Sequence, residues 1–157
     1  MTRDVARDTR RLPSYDGTRL AVHTVGAGPA LLCVPGGPGR ASAYLEDLAG
    51  LDRARTLVQL DNRGTGLSEV PADPGTLRAD LLARDVESVR LDLGLDRVAV
   101  FGHSAGSVVA QLWAAAHPEA VEALVLVTPS GRLQGVGQPD VEDIRAGRAG
   151  EPWYADA

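Results

Sequence analysis

Val98-Ala99-Val100-Phe101-Gly102-His103-Ser104-Ala105-Gly106-Ser107-Val108-Val109 is the stretch on which the fold turns. Val98–Phe101 reads as a short buried strand. After it, Val108, Val109, Leu112, Trp113 and Ala116 recur at helical spacing as far as His117-Pro118. Between strand and helix stands Gly102-x-Ser104-x-Gly106, the pattern of a nucleophile elbow. A serine in such a place must occupy a strained turn that lifts its hydroxyl above the sheet. Glycines two residues to either side let the backbone fold that tightly. The helix that follows would aim its positive end, and the Ala105 N–H, at the point where an oxyanion forms. In a chain with 18 glycines the pentapeptide alone is a weak sign, and the strand before it and the helix after it give it weight.

Outward from this point the chain alternates apolar strands with amphipathic helices. Upstream, the turn pair Asp16-Gly17 joins Arg11–Tyr15 to Thr18–Val25 as a β-hairpin, and Ala30–Val34 is a buried strand stopped by Pro35-Gly36-Gly37-Pro38-Gly39. Ser42 is placed to cap a helix carrying Tyr44, Leu45 and Leu48, closed by Gly50. Thr56–Leu60 is the next buried strand. Thr76 then stands as N-cap before Leu77, Leu81, Leu82, Val86, Val89 and Leu93, with Gly94 as the stop. Downstream, Ala123–Val127 is a further core strand, the sixth in all. The expected architecture is α/β: a mostly parallel sheet with an antiparallel N-terminal hairpin and helices on both faces. Residues 1–131 form this core. The texture changes at 132–157, where one weak helical stretch (Asp140 to Arg148) reads as the incomplete start of a second subdomain.

Composition narrows the chemistry. The chain has 157 residues, 44 % hydrophobic and 24 % charged, with a net charge of −5, which argues against non-specific nucleic-acid binding. All 16 basic residues are arginine, so a P-loop lysine, a Schiff-base lysine and a pyridoxal phosphate site are excluded. The single cysteine, Cys33, allows neither an internal disulfide nor a multi-cysteine zinc site. Neither a signal-peptide pattern nor an apolar run of about 20 residues is present, so a cytoplasmic protein without membrane attachment is expected.

The glycine-rich loop Pro35–Gly39 follows a core strand, where a serine hydrolase of this build places its second oxyanion donor. Pro38 has no N–H; Gly37 is the first choice and Gly36 the reserve. Three stretches then resemble one family. Pro35-Gly36-Gly37-Pro38-Gly39 is similar to an HGGPG loop, with proline at the first position. Asp61-Asn62-Arg63-Gly64-Thr65-Gly66-Leu67-Ser68 is similar to a D-x-R-G-x-G-x-S loop, and Gly102–Gly106 matches the elbow. Together they resemble the α/β-hydrolase fold and, within it, the proline iminopeptidase-like (prolyl aminopeptidase) group. The resemblance covers nearly the whole chain. It implies Ser104 as nucleophile, and the N–H groups of Gly37 and Ala105 as oxyanion donors. It also implies an acyl-enzyme formed on a small peptide or ester substrate, an N-terminal prolyl amide above all, with no metal or organic cofactor. The middle loop is expected to be structural, a turn held by its glycines and an Asp/Arg pair.

In this fold the triad acid and histidine follow the serine in the chain. No histidine follows His117, and His23, His103 and His117 are each expected to be structural. The chain is therefore expected to be the N-terminal half of such an enzyme, inactive or weak by itself. The alternatives are a non-catalytic product or pseudoenzyme, and an esterase or acyltransferase of the same fold. Its last strand is expected to lie at an open sheet edge, inviting self-association or a partner carrying the rest of the fold.

Overall fold

Asp16 and Gly17 turn the chain between β1 (Asp8–Pro13) and β2 (Arg19–Val25) in the computed structural model, which describes residues 7–37 and 39–129. Ser14 N–H donates to Thr18 O at 2.8 Å, the Asp16 carboxylate accepts the Thr18 N–H at 3.0 Å, and Gly17 takes the left-handed φ of +88° that the tight turn requires. The first strand lies three residues earlier than the hydrophobic pattern indicates, because Ser14 and Tyr15 are spent on the turn.

Beyond the hairpin come β3 (Ala30–Val34), β4 (Thr56–Asp61), α1 (Ala79–Asp92), β5 (Val98–His103), α2 (Ala105–Ala116) and β6 (Val121–Val127). They form one six-stranded sheet in the order β1-β2-β4-β3-β5-β6. The pairs β1/β2 and β2/β4 are antiparallel, and β4/β3, β3/β5 and β5/β6 are parallel. This is the mostly parallel sheet with an antiparallel hairpin that the sequence predicts.

Side-chain alternation along the strands separates two cores. Leu32, Val34, Val58, Leu60, Val98 and Val100 point to the face covered by α1 (Val86, Val89) and α2 (Val109, Ala110, Trp113). Leu31, Cys33, Leu57 and Ala99 point the other way, against Leu45 with Tyr44 and Leu48. Both α-helices thus share one face. Among the described residues, the 3₁₀ turn Ser42–Leu45 and the loop after it cover the other. Trp113, fully buried, donates its indole N–H to Glu87 at 2.9 Å and ties α2 to α1.

Two expectations are corrected. The helix expected after Ser42 is a four-residue 3₁₀ turn: the Ser42 hydroxyl and N–H both go to Asp61 rather than to a cap, and Glu46, Leu48 and Ala49 all take positive φ. The helix expected from Thr76 begins at Ala79, because Asp73 instead caps a 3₁₀ turn at Pro74–Leu77, accepting the Gly75 N–H at 2.8 Å. Gly94 does end the helix, at φ +67°. Strand β6 lies at the sheet's end among the described residues, as expected, with Leu124, Val125 and Val127 exposed. No described helix is long and apolar enough to cross a membrane. The expected second subdomain, 132–157, lies outside the described residues.

Candidate active site

Ser104 is the single residue between β5 and α2, at φ 51°, ψ −118°. An L-residue reaches this region only at a cost of about 1–3 kcal/mol, and only where its surroundings over-determine it. Here Ser104 N–H donates to Val127 O at 2.9 Å, and Ser104 O accepts the Ser107 N–H at 2.9 Å. The Ser107 hydroxyl ties back to Gly102 O at 2.8 Å. The two flanking glycines contribute space rather than unusual φ. A Cβ on Gly102 would lie 2.7 Å from Gly106 O, and one on Gly106 would lie 2.4 Å from both Pro35 O and Val34 O. The strain therefore sits on the serine, while the glycines let strand, helix and neighbouring loop close around it.

That neighbouring loop is the glycine-rich one. A Cβ on Gly36 would meet Ser104 Cβ at 2.8 Å and His103 O at 2.6 Å, so the loop lies directly on the elbow. Gly36 N–H is already committed to the Tyr44 hydroxyl at 2.6 Å, which removes the reserve donor. Gly37 follows at φ +74°. Ala105 opens α2, where first-turn N–H groups have no partner within the helix. Gly37 and Ala105 both line one cleft of about 380 Å³, whose other walls are largely apolar: Val70, Pro71, Leu77, Leu82 and Val109. The structure thus gathers Ser104, Gly37 and Ala105 at the C-terminal ends of β3 and β5.

It gathers no histidine there. His103 turns its Nδ1 to the Tyr44 hydroxyl at 2.8 Å. His117 closes the far end of α2, about 18 Å away by helical rise, beside Trp113. His23 stands on β2, the second strand of the sheet, and its ring is buried, with Nδ1 at 2.8 Å from Thr9 Oγ1 and Nε2 at 3.0 Å from Asp61 Oδ2. Three strand spacings, about 14 Å, separate it from β5.

The middle loop is built around two buried charges. Asp61 accepts from Ser42 N–H (2.8 Å), Ser42 Oγ (2.7 Å) and Leu67 N–H (2.9 Å) besides His23. Burial pushes its carboxyl up, yet these bonds hold it below the ordinary carboxylate range. Gly66 is required here, since a Cβ would come within 2.0 Å of Asp61 Oδ2. Arg63, 1 % exposed, is forked onto Asp85 and also bonded to Asp16 at 2.7 Å. Sequence reasoning passes over Tyr44 and Asp85. Asp85 does leave a signal, an acidic residue on the apolar stripe three places after Leu82 and four before Val89. Tyr44 leaves none, its partners being 8 and 59 residues away.

The family model described as alpha/beta hydrolase fold matches residues 29–155. The chain belongs to the α/β-hydrolase family. Within that family it is 30 % identical over 104 residues to a proline iminopeptidase of Heyndrickxia coagulans, covering 66 % of this chain and 36 % of that one. It is 30 % identical over 112 residues to Epoxide hydrolase 4 of Mus musculus, covering 69 % of this chain and 31 % of that one. Among solved structures it superposes on a proline iminopeptidase-related protein of Thermus thermophilus with a TM-score of 0.69 and 32 % identity. That match covers 79 % of this chain and 45 % of the other. The proline iminopeptidase-like resemblance read from the three loops is thus borne out. This hydrolase-family chain spans less than half the length of these relatives.

Proposed function

We propose that the chain carries the nucleophile half of a serine hydrolase site. In this reading Ser104 Oγ bonds to an acyl carbonyl carbon, and the carbonyl electrons pass to an oxyanion held by the N–H groups of Gly37 and Ala105. The C–N or C–O bond to the leaving group then breaks as that group takes up the proton given up by Ser104 Oγ. Water adds to the acyl carbon and frees the acid, its proton returning to the serine oxygen. The observation that carries this is the packing of Gly36 against Ser104 Cβ at the positive end of α2, with the serine alone bearing the strained φ. An apolar cleft of about 380 Å³ beside both donors favours a compact apolar acyl group, a prolyl ring or a short chain.

The proton of Ser104 Oγ needs a base, and each histidine in the chain is engaged elsewhere. The 157-residue chain is accordingly expected to be labelled at Ser104 by a fluorophosphonate, slowly, and to turn over proline-β-naphthylamide or p-nitrophenyl acetate far below an ordinary ~10 s⁻¹. Labelling that survives Ser104→Ala would remove the nucleophile assignment, and ordinary turnover would show that a base is present. The placement of the three histidines favours a second reading, a chain that binds without catalysing. Absence of any label on Ser104 would select it. An aspartate-nucleophile mechanism is disfavoured, because the elbow residue is serine.

A further inference from the structure

We infer that Tyr44 is a positioning residue of this site, its hydroxyl locking the oxyanion loop to the nucleophile elbow through one Gly36–Tyr44–His103 hydrogen-bond relay. The inference rests on the reading of Ser104 as nucleophile, and it adds both a residue and a proton arrangement.

A phenol has one proton to give and lone pairs to receive. Gly36 N–H donates to Tyr44 Oη at 2.6 Å, and the other neighbour of that oxygen is His103 Nδ1 at 2.8 Å. The arrangement that satisfies all three groups has the Tyr44 proton on the bond to Nδ1. A neutral His103 then carries its own proton on Nε2. Its one ring lone pair is spent on Tyr44, so in this state the histidine next to Ser104 has nothing with which to take the serine's proton. The relay thus explains why an imidazole adjacent in sequence does not act as the base: it is an anchor.

What it anchors is the loop. Gly36 sits within van der Waals distance of the elbow, with room for neither a Cβ nor a shift toward His103. Its N–H bond fixes the near end of the Gly36-Gly37 segment, whose second residue stands at φ +74° and is conformationally free on its own. Tyr44 is itself held from above by the Arg40 guanidinium, 4.2 Å from the ring centroid, and packs at 5.6 Å from the His103 ring. Deleting only the hydroxyl would leave this packing in place and release the loop.

The test uses the full 157-residue chain and two readouts. In Tyr44→Phe, labelling of Ser104 by a fluorophosphonate is expected to slow by about 10-fold or more, as for a displaced oxyanion donor, with the urea midpoint little changed. Gly36 amide exchange is expected to quicken, and the ¹⁵N shifts of His103, which mark an Nε2–H tautomer in the parent, to move. His103→Asn offers an acceptor oxygen where Nδ1 stood and is expected to label within about twofold of the parent, whereas His103→Leu is expected to behave like Tyr44→Phe. These two variants also stand in if Tyr44→Phe does not fold. A labelled parent with equal rates in Tyr44→Phe and His103→Leu would overturn the positioning role while leaving Ser104 as nucleophile. A parent that takes no label at Ser104 would overturn both.

Discussion

The Arg63 guanidinium and the Asp85 carboxylate face each other as a fork, Nε to Oδ2 at 2.8 Å and Nη2 to Oδ1 at 2.5 Å, with neither side chain exposed. This joins the loop after β4 to the middle of α1, and the bond to Asp85, stronger than the opposing effect of burial, raises the arginine's pKa further above its ordinary value. Removing one partner strands a buried charge. Arg63→Met and Asp85→Leu are each expected to cost about 3–5 kcal/mol in urea unfolding, and the two together much less than the sum. Additive losses of a few tenths would mean that the pair does not hold loop to helix.

Asp16 completes this cluster at its solvent side, bonded to Arg63 at 2.7 Å. Burial raises its pKa, but the bonds from Arg63 and Thr18 outweigh it and hold the carboxyl at about 2, against 3.8 when free. A depressed carboxylate stabilises the fold above its unfolded value, and that stability is lost as pH falls through the folded one. Asp16→Asn is therefore expected to lower stability by on the order of 1 kcal/mol at neutral pH, solvent screening included. The difference from the parent should shrink between about pH 4 and pH 2 and disappear below it. A gap that persists unchanged at pH 2 would refute the assignment.

What was legible in the sequence, and what was not, follows from the range of the interactions. The hairpin, the elbow and the β-α alternation rest on turn residues and periods that act over a few positions, so Asp16-Gly17, Gly102–Gly106 and Gly94 are read correctly. Ser42 misleads, because its capping hydroxyl is claimed by Asp61, 19 residues on. Asp73 and Pro74 move the helix start by closing a turn before it. The open edge at Ala123–Val127 is expected only through the resemblance, since burial depends on what flanks a strand in the sheet, which no period encodes. At the candidate site, the proposed roles of Ser104, Gly37 and Ala105 follow from a local motif and a loop, whereas the Tyr44 hydroxyl meets a partner 59 residues on.

Ser104 offers a direct test of backbone strain. Ser104→Ala keeps the φ of 51° and Ser104→Gly relieves it. Glycine's larger unfolded-state entropy costs about 0.5–1 kcal/mol, and the relief is about 1–3 kcal/mol. The glycine variant is expected to be about 1 kcal/mol more stable than the alanine one by urea unfolding, although both lack the hydroxyl. Equal midpoints would place Ser104 in an ordinary conformation.

Cys33 lies wholly buried in β3, its Sγ 3.3 Å from Leu31 O, and burial pushes the thiol up to about 12. Only the thiolate attacks a disulfide reagent. Ellman's reagent is expected to leave the folded chain untouched at pH 8 and to react with one equivalent of thiol once urea has unfolded it. Fast reaction of the native chain would place Cys33 at the surface.

Strand β6 ends the sheet opposite β1, and its Leu124, Val125 and Val127 are 36 %, 45 % and 38 % exposed. Its outer N–H and C=O groups have no strand partner among the described residues, and an apolar edge of this kind is a template for pairing with another chain. The 157-residue chain is accordingly expected to associate in a concentration-dependent way in sedimentation. Lysine on an edge strand opposes such pairing, so Val125→Lys should shift the chain toward monomer, and at so exposed a position it should change the unfolding free energy by no more than about 0.5 kcal/mol. A parent chain that sediments as a single monomer at high concentration would show that the edge is already covered, and Val125→Lys would then destabilise the fold by disturbing whatever covers it.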